Sequence, residues 1–79
     1  MKIPKYCNFT QPEVDYYIAT CNFTPRELEY FKRRTQDETN IQISFAMNLS
    51  EYQINYTAKK VKKKILKRVE KCLEYLKTH

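Results

Sequence analysis

Four signals for the start of a helix divide this chain of 79 residues. Each signal is a serine or threonine followed three residues later by glutamate or glutamine. In this capping box the hydroxyl accepts a hydrogen bond from the backbone amide three residues on. The glutamate or glutamine side chain in turn accepts one from the backbone amide of the cap residue. The pairs are Thr10 with Glu13, Thr24 with Glu27, Thr39 with Gln42, and Ser50 with Gln53. No strand-like alternation of useful length lies between them, so the sequence predicts an all-α fold.

The spacing of these signals predicts a four-helix domain spanning residues 1–79. The predicted helices cover about residues 11–20, 25–36, 40–47 and 51–77. The first of them precedes a core motif at 23–61, and residues 62–77 continue the last helix as an extension. A chain of this length buries only about 60–65% of the surface that it exposes when unfolded, so we expect modest stability.

Glycine is absent from the sequence, so any left-handed turn must be made by another residue. Asn48 lies between the predicted helix at 40–47 and the cap Ser50. Asparagine tolerates the left-handed conformation better than other non-glycine residues. We therefore expect Asn48 to form a tight turn between two helices.

The apolar residues around this turn keep to one side of each predicted helix. They are Ile43 and Met47 before the turn, Leu49 within it, and Ile54, Ala58 and Val61 after it. An ordinary helical hairpin explains these apolar residues equally well. It does not explain the combination of turn length, Asn48, Ser50 and the lysine-rich continuation, which is the layout of a helix-turn-helix DNA reader.

The formal charge of +6 is concentrated at one end of the chain. From Lys59 onward the sequence has nine basic residues and two acidic ones, Glu70 and Glu74, which gives a formal charge of +7. The rest of the chain has a formal charge of −1. Such a field attracts a polyanion, either nucleic acid or an anionic membrane surface. Because no apolar run approaches the roughly 20 residues of a spanning helix and no signal-peptide core is evident, we expect nucleic acid, no membrane and a cytoplasmic location.

Residues 23–34, Phe-Thr-Pro-Arg-Glu-Leu-Glu-Tyr-Phe-Lys-Arg-Arg, open a stretch that resembles a known family. The matching residues that follow are Thr39, Asn40, Ile43, Ser50, Glu51 and Ile54. Together they resemble the helix-turn-helix of LuxR-type regulators and, similarly closely, region four of primary-type sigma factors. Within this superfamily the chain is most similar to the small helix-turn-helix proteins of phages and mobile elements. This sequence departs from the pattern near Asp37 and at Asn48, where the family has glycines, and at Ser44, where it has alanine.

The resemblance implies a double-stranded-DNA-binding transcriptional regulator whose helix from Ser50 lies in the major groove. The face opposite Ile54 is then the one that meets DNA. Candidates for base readout are Gln53, Asn55, Tyr56 and Lys59. Candidates for the DNA backbone are Thr39, Asn40, Gln42, Tyr52, Lys60 and Lys63. Amide side chains pair with adenine and lysine with guanine, although exposed tyrosines and lysines on a helix are often simply solvated.

Two sets of apolar residues exceed what the motif needs, and exposed they would form a costly patch. Ile41 and Phe45 lie opposite Ile43, and we expect an N-terminal segment to cover them, with a second copy of the chain as the alternative. That segment contains Ile3, Tyr6, Val14, Tyr17 and Ile18. The end of the long helix is expected to form a homodimer through Leu66, Val69, Leu73 and Leu76. The alternative function is a sigma-like module that binds RNA polymerase or another regulator.

The residue types of catalysis and metal binding are sparse. Cys7, Cys21 and Cys72 form no C-x-x-C pair, and the one histidine is His79. A phosphate loop cannot form without glycine, and no cysteine or histidine cluster has ligand spacing. We expect the thiols to act as small hydrophobes, and we expect no enzymatic activity, no cofactor and no metal.

Overall fold

The computed structural model describes the backbone of residues 6–78 and, within that range, all side chains except those of Cys7, Leu73 and residues 75–78. A 3-10 turn at Tyr6–Asn8 precedes the α-helices. These are α1 (Gln11–Thr20), α2 (Pro25–Thr35), α3 (Asn40–Ala46), α4 (Glu51–Leu66) and α5 (Val69–Thr78). The described residues contain no strand, which confirms the all-α prediction. None of these helices is long and apolar enough to cross a membrane.

All four predicted capping boxes are formed, at the starts of α1, α2, α3 and α4. In each box the cap amide donates to the side-chain oxygen three residues on, over 2.8–3.0 Å between nitrogen and oxygen. The four cap residues have extended backbone conformations, which turn the chain into the helix. Each such cap stabilises its helix by about 1 kcal/mol. The helix starts are therefore set locally, within three residues of each cap.

The turn between α3 and α4 is made by Asn48, as predicted. Its φ of 54° lies in the left-handed region. The amide of Leu49 donates to the carbonyl of Ser44 at 2.8 Å, and the amide of Asn48 donates to that of Phe45 at 3.3 Å. These two bonds form a Schellman motif, which satisfies carbonyls left without partners at the end of a helix.

Two further residues with side chains like that of Asn48 take the role that glycine usually fills. Asn22 (φ 52°) follows α1, and Asp37 (φ 65°) follows α2. The amides of Asp37 and Glu38 donate to carbonyls at the end of α2 at 3.1 and 3.2 Å, which repeats the Schellman pattern. The ends of α1, α2 and α3 thus use residues with short polar side chains that tolerate positive φ.

The core collects apolar residues from every helix. Its buried members are Val14, Tyr17, Cys21, Tyr30, Phe31, Ile43, Ile54, Val61, Ile65 and Cys72. Around the fully buried Phe31, the rings of Phe23 and Tyr17 lie 5.2 and 6.2 Å away between centroids. The predicted inner faces of α3 and α4 are confirmed, because Ile43, Ile54 and Val61 are buried.

The prediction of one continuous helix over 51–77 is wrong. α4 ends at Leu66, and a turn at residues 67–68 separates it from α5. The amide of Arg68 donates to the carbonyl of Ile65, three residues back, at 2.9 Å. The carbonyl of Lys64 instead accepts from the thiol of Cys21, with 3.7 Å between sulfur and oxygen. The side chain of the residue that follows α1 thus takes a place in the hydrogen-bond ladder of α4, which is a recognised cause of helix bending.

After this bend, α5 packs against α1 rather than standing free. Cys72 is buried there, and Val69 is half-buried. Leu66 at the end of α4 is 41% exposed. The predicted dimer residues Leu73 and Leu76 lie outside the described side chains. Part of the apolar surface that suggested a second copy is therefore covered by α1 within the chain.

The expected covering of Ile41 and Phe45 is wrong. Their side chains are 70% and 82% exposed. The N-terminal residues proposed as a cover belong elsewhere, because Val14 and Tyr17 are core residues, and Tyr6 and Ile18 pack against that core. Ile3 lies outside the described residues. The described N-terminal residues thus pack against α2 and α5, and the outer side of α3 is exposed.

Cys21 and Cys72 are buried free thiols, which confirms their use as small hydrophobes. Burial raises the pKa of both thiols. Both groups therefore stay protonated at neutral pH, and the Cys21 S–H remains a donor for the Lys64 carbonyl. The side chain of Cys7 lies outside the described set.

The left-handed turn gives the first testable prediction. Replacing Asn48 with alanine should lower the free energy of unfolding by about 1 kcal/mol, because an alanine side chain is strained at positive φ. Replacing Asn48 with glycine should leave it within about 0.5 kcal/mol of the wild type, since glycine adopts this conformation freely but loses more entropy on folding. Urea denaturation measures both variants. Equal stabilities for the alanine and glycine variants would contradict the role assigned to the turn.

Candidate nucleic-acid interface

The outer face of α4 brings most of the predicted DNA-contacting residues together. Ile54, Thr57, Val61 and Ile65 form the buried side of this helix. The exposed side carries Tyr52, Gln53, Asn55, Tyr56, Lys59, Lys60 and Lys63. Since residues four apart on a helix lie above one another, this face has two neighbouring columns. One column is Tyr52, Tyr56 and Lys60, and the other is Asn55, Lys59 and Lys63.

The first column is an ordered stack. The rings of Tyr52 and Tyr56 lie 6.4 Å apart between centroids, with their planes 18° apart. The ammonium of Lys60 lies over the Tyr56 ring, 5.4 Å from its centroid. The two rings remain 78% and 51% exposed. The tyrosines are therefore held against each other and the next lysine while most of their surface meets solvent.

The second column presents an amide and two ammonium groups. Asn55, Lys59 and Lys63 are all exposed and follow one another by single turns of α4. At a rise of 1.5 Å per residue, the column is about 12 Å long. An amide can pair with adenine and an ammonium can donate to guanine or phosphate, so the column offers base-reading groups first and charge afterward.

Gln53 has a second task that limits it as a base reader. Its Oε1 atom accepts from the Ser50 amide at 2.9 Å in the capping box of α4. A bidentate pair with adenine needs the amide oxygen and the amide nitrogen together. While the cap is formed, the Gln53 oxygen is oriented toward the Ser50 amide, so Asn55 is the better placed of these two amides for reading adenine.

The predicted backbone residues on α3 also use their oxygen atoms within the protein. The Gln42 Oε1 accepts from the Thr39 amide at 2.8 Å, and the Thr39 hydroxyl accepts from the Gln42 amide at 3.2 Å. The Asn40 Oδ1 accepts from the Tyr30 hydroxyl at 2.8 Å. Burial raises the pKa of Tyr30, which keeps this donor protonated. The groups that remain to meet a ligand are O–H and N–H donors, which suit phosphate oxygens.

Arginines at the end of α2 hold the segment that leads into α3. Arg33 pairs with Glu29 at 3.0 Å and with Glu38 at 3.2 Å. Arg34 donates to the carbonyl of Glu38 at 2.6 Å. Exposed ion pairs of this kind stabilise a protein by less than about 1 kcal/mol each. Their effect here is geometric, because Glu38 immediately precedes Thr39.

Sequence reasoning missed the anchor between α4 and α2. The ammonium of Lys64 forms a short ion pair with the Glu27 carboxylate and donates to the carbonyl of Asn22 at 3.1 Å. It also lies 5.9 Å from the centroid of the Phe23 ring. Lys64 therefore contributes to the fold and not simply to the basic face. The helical period offered a signal, because position 64 stands beside the buried Val61 and Ile65, where a lysine needs a partner.

Glu27 combines two roles at the start of α2. Its Oε1 accepts from the amide of the cap Thr24 at 3.0 Å, and the same atom pairs with Lys64. Burial of the carboxylate disfavours its charge, but the hydrogen bonds from Lys64 and Thr24 outweigh burial, so the pKa of Glu27 lies below its ordinary value. The ion pair therefore joins α4 to the first turn of α2.

The arrangement of α3, the Asn48 turn and α4 defines a helix-turn-helix domain, the class in which the second helix presents its exposed face to DNA. A family model of bacterial regulatory proteins, the luxR family, matches residues 21–68, which is more than half of the chain. The chain therefore belongs to the luxR family, whose members are DNA-binding transcription regulators rather than enzymes. The resemblance to LuxR-type regulators is confirmed, and that to sigma region four stays a prediction. Searches of curated proteins and of solved structures found no match.

The Glu27–Lys64 pair gives a pH-dependent prediction. A carboxylate with a lowered folded-state pKa stabilises the fold above its unfolded pKa, and this contribution is lost as pH falls through the folded value. Replacing Glu27 with glutamine keeps a capping side chain but removes the charge. We expect a loss of about 1–3 kcal/mol at pH 7, which shrinks as pH falls below the ordinary value of 4.5.

Urea denaturation from pH 7 to pH 3 measures this difference. Glu13→Gln is the matched control, because Glu13 fills the same capping position in α1. The control variant should lose less stability at pH 7 than Glu27→Gln. A Glu27→Gln deficit that stays constant across this pH range would contradict the ion-pair account.

Proposed function

We propose that this protein is a sequence-specific regulator of transcription that binds double-stranded DNA and reads the major groove with α4. The observation that carries the proposal is the outer face of α4, where polar, aromatic and basic side chains are exposed together. Membership of the luxR family supports the same conclusion. A bacterial transcription regulator binds DNA in the cytoplasm, so we propose a cytoplasmic location.

In this proposal the first two turns of α4 meet base edges. Asn55 pairs with adenine, and Lys59 donates to guanine. Tyr56 supplies an apolar ring beside them, and Gln53 donates from its amide nitrogen while its oxygen caps the helix. Asn55 and Lys59 therefore carry the hydrogen-bonding part of base recognition.

The DNA backbone is bound from two sides of this face. Thr39, Asn40 and Gln42 donate to phosphates from the start of α3. Tyr52, Lys60 and Lys63 do so from α4. The phosphate contacts end near Lys63, because Lys64 is paired with Glu27 and the chain bends after Leu66 toward α1. The later lysines add to the general field but stand outside the reading face.

Titration of DNA duplexes by fluorescence anisotropy tests these roles. Asn55→Ala should weaken binding to the preferred duplex by about 1–3 kcal/mol and relax base preference at one position. Lys63→Ala should weaken all duplexes to a similar degree and reduce the slope of log K against log salt by about 1.

Lys71→Ala is the matched control for Lys63→Ala, because Lys71 is an exposed lysine on α5, away from the reading face. It should change affinity less than Lys63→Ala does. Equal losses for the two lysine variants would contradict the placement of the reading face. Absence of DNA affinity in low salt would contradict the function itself.

A second candidate function is favoured by the outer side of α3. Ile41 and Phe45 stand four residues apart on that side, and their side chains are 70% and 82% exposed. Exposed apolar residues of this size mark contacts with other proteins when they form a patch. A sigma-like module that binds RNA polymerase or another regulator would use such a surface. Capture of polymerase without a shift of any DNA duplex would select this function.

A homodimer remains part of the proposal, since two reading helices would match two half-sites in DNA. Leu66 is exposed at the end of α4 and is available to a second copy, whereas Val69 is half-buried. Light scattering across a range of concentrations tests the dimer. A monomer at every concentration, with and without DNA, would remove it.

A further inference from the structure

The stacked tyrosines of α4 suggest a specificity that hydrogen bonds alone do not supply. Tyr52 and Tyr56 present their rings on the same side of the helix as Asn55 and Lys59, and the two residues are 78% and 51% exposed. A tyrosine pair four residues apart also stabilises an isolated helix, by about 0.2–0.5 kcal/mol. Helix stabilisation alone would not require the rings to lie on the exposed face proposed to contact DNA, in the first two turns after the cap.

The major groove offers one apolar group to such rings. Thymine carries a 5-methyl group there, whereas the other features of the base edges are hydrogen-bond donors and acceptors. The exposed surface of an aromatic ring can pack against a methyl group, and the contact removes apolar surface from water on both sides. The phenolic hydroxyl at the tip of each ring can meanwhile stay in contact with water or phosphate.

The spacing of the two rings fits the spacing of bases. Their centroids lie 6.4 Å apart. Two steps along a DNA strand cover about 6.8 Å. If the stack runs along the groove, each ring can therefore contact a methyl group of its own, two base pairs apart. The cation–π contact of Lys60 with Tyr56 fixes one end of the stack, so little rotamer freedom is lost on binding.

We infer that Tyr52 and Tyr56 read pyrimidine 5-methyl groups, so that the preferred site contains two thymines about two base pairs apart in the major groove. The inference rests on the proposed function, because it assumes that α4 lies in that groove. It assigns Tyr52 to base specificity, in addition to the backbone contact expected from its position. Lys60 acts as a positioning residue for the stack as well as a phosphate contact.

The test uses duplexes enriched by the protein from a random pool, remade with uracil in place of individual thymines. Uracil keeps the pairing with adenine and removes only the methyl group. At each of two positions, affinity should fall roughly fourfold, as expected for loss of one buried methyl group. Replacing both should reduce it roughly fifteenfold if the two contacts are independent. Substitutions at other thymines should have little effect.

Protein variants assign the effect to the rings. The Tyr52→Ala/Tyr56→Ala double variant should bind thymine and uracil duplexes equally. Tyr52→Phe and Tyr56→Phe should retain the preference for thymine, because they keep the ring and lose only the hydroxyl. Phe45→Ala is the control, since it removes an exposed ring from α3 and should leave the preference unchanged. These residues are exposed, and circular dichroism checks that each variant is folded.

The possible results separate the inference from the function on which it rests. Wild-type protein that binds the enriched duplex equally well with thymine and with uracil would overturn methyl reading and leave the proposed function standing. Loss of the preference in the phenylalanine variants would overturn it as well, because hydroxyl contacts would then be responsible. Failure to enrich or bind any duplex would overturn both.

Discussion

The position of α4 depends first on the left-handed turn at Asn48. Its φ of 54° and the bonds from Leu49 to Ser44 and from Asn48 to Phe45 fix the angle at which α3 passes into α4. Ser50 then caps the new helix two residues later. A glycine would adopt this conformation with less strain, but asparagine has fewer conformations in the unfolded chain and therefore loses less conformational entropy on folding. The direction of α4, and with it the direction of its exposed face, is thus set by backbone geometry.

The far end of α4 is fixed by contacts with α1 and α2. Lys64 pairs with Glu27, and its carbonyl accepts from the Cys21 thiol. The second contact accompanies the bend that sends α5 back to α1. One consequence concerns charge, because Lys64 pairs with Glu27 within the protein and its charge is no longer available to a ligand. Another concerns shape, because the exposed face of α4 ends near the bend and does not continue along a single long helix.

Local features could be predicted from the sequence, and long-range ones could not. The four helix starts and the Asn48 turn depend on residues within about five positions of one another, so pattern alone identifies them. The end of α4 depends on Cys21, 43 positions before Lys64, and no spacing rule reveals that contact. The apolar period correctly placed Ile43 and Ile54 inside. It could not show that Ile41 and Phe45 are exposed, because apolar character indicates a tendency to be buried and does not identify a partner.

The candidate site shows the same division. The exposed face of α4 follows from 3.6 residues per turn once Ile54 is taken as buried. The engagement of Gln53 in the cap follows from the same capping box that predicts the helix, so a single residue carried two competing predictions. The stacking of Tyr52 on Tyr56 could be seen only from the side-chain coordinates, as could the pairing of Lys64 with Glu27.

The most direct test of a DNA contact through α4 is an NMR titration of the protein with an enriched duplex, in which the chemical shifts of the backbone amides are mapped. The largest shifts are expected from Ser50 to Lys60 and at the start of α3, with small ones in α1 and α5. Shifts centred on α1 or α5 would contradict a DNA contact through α4.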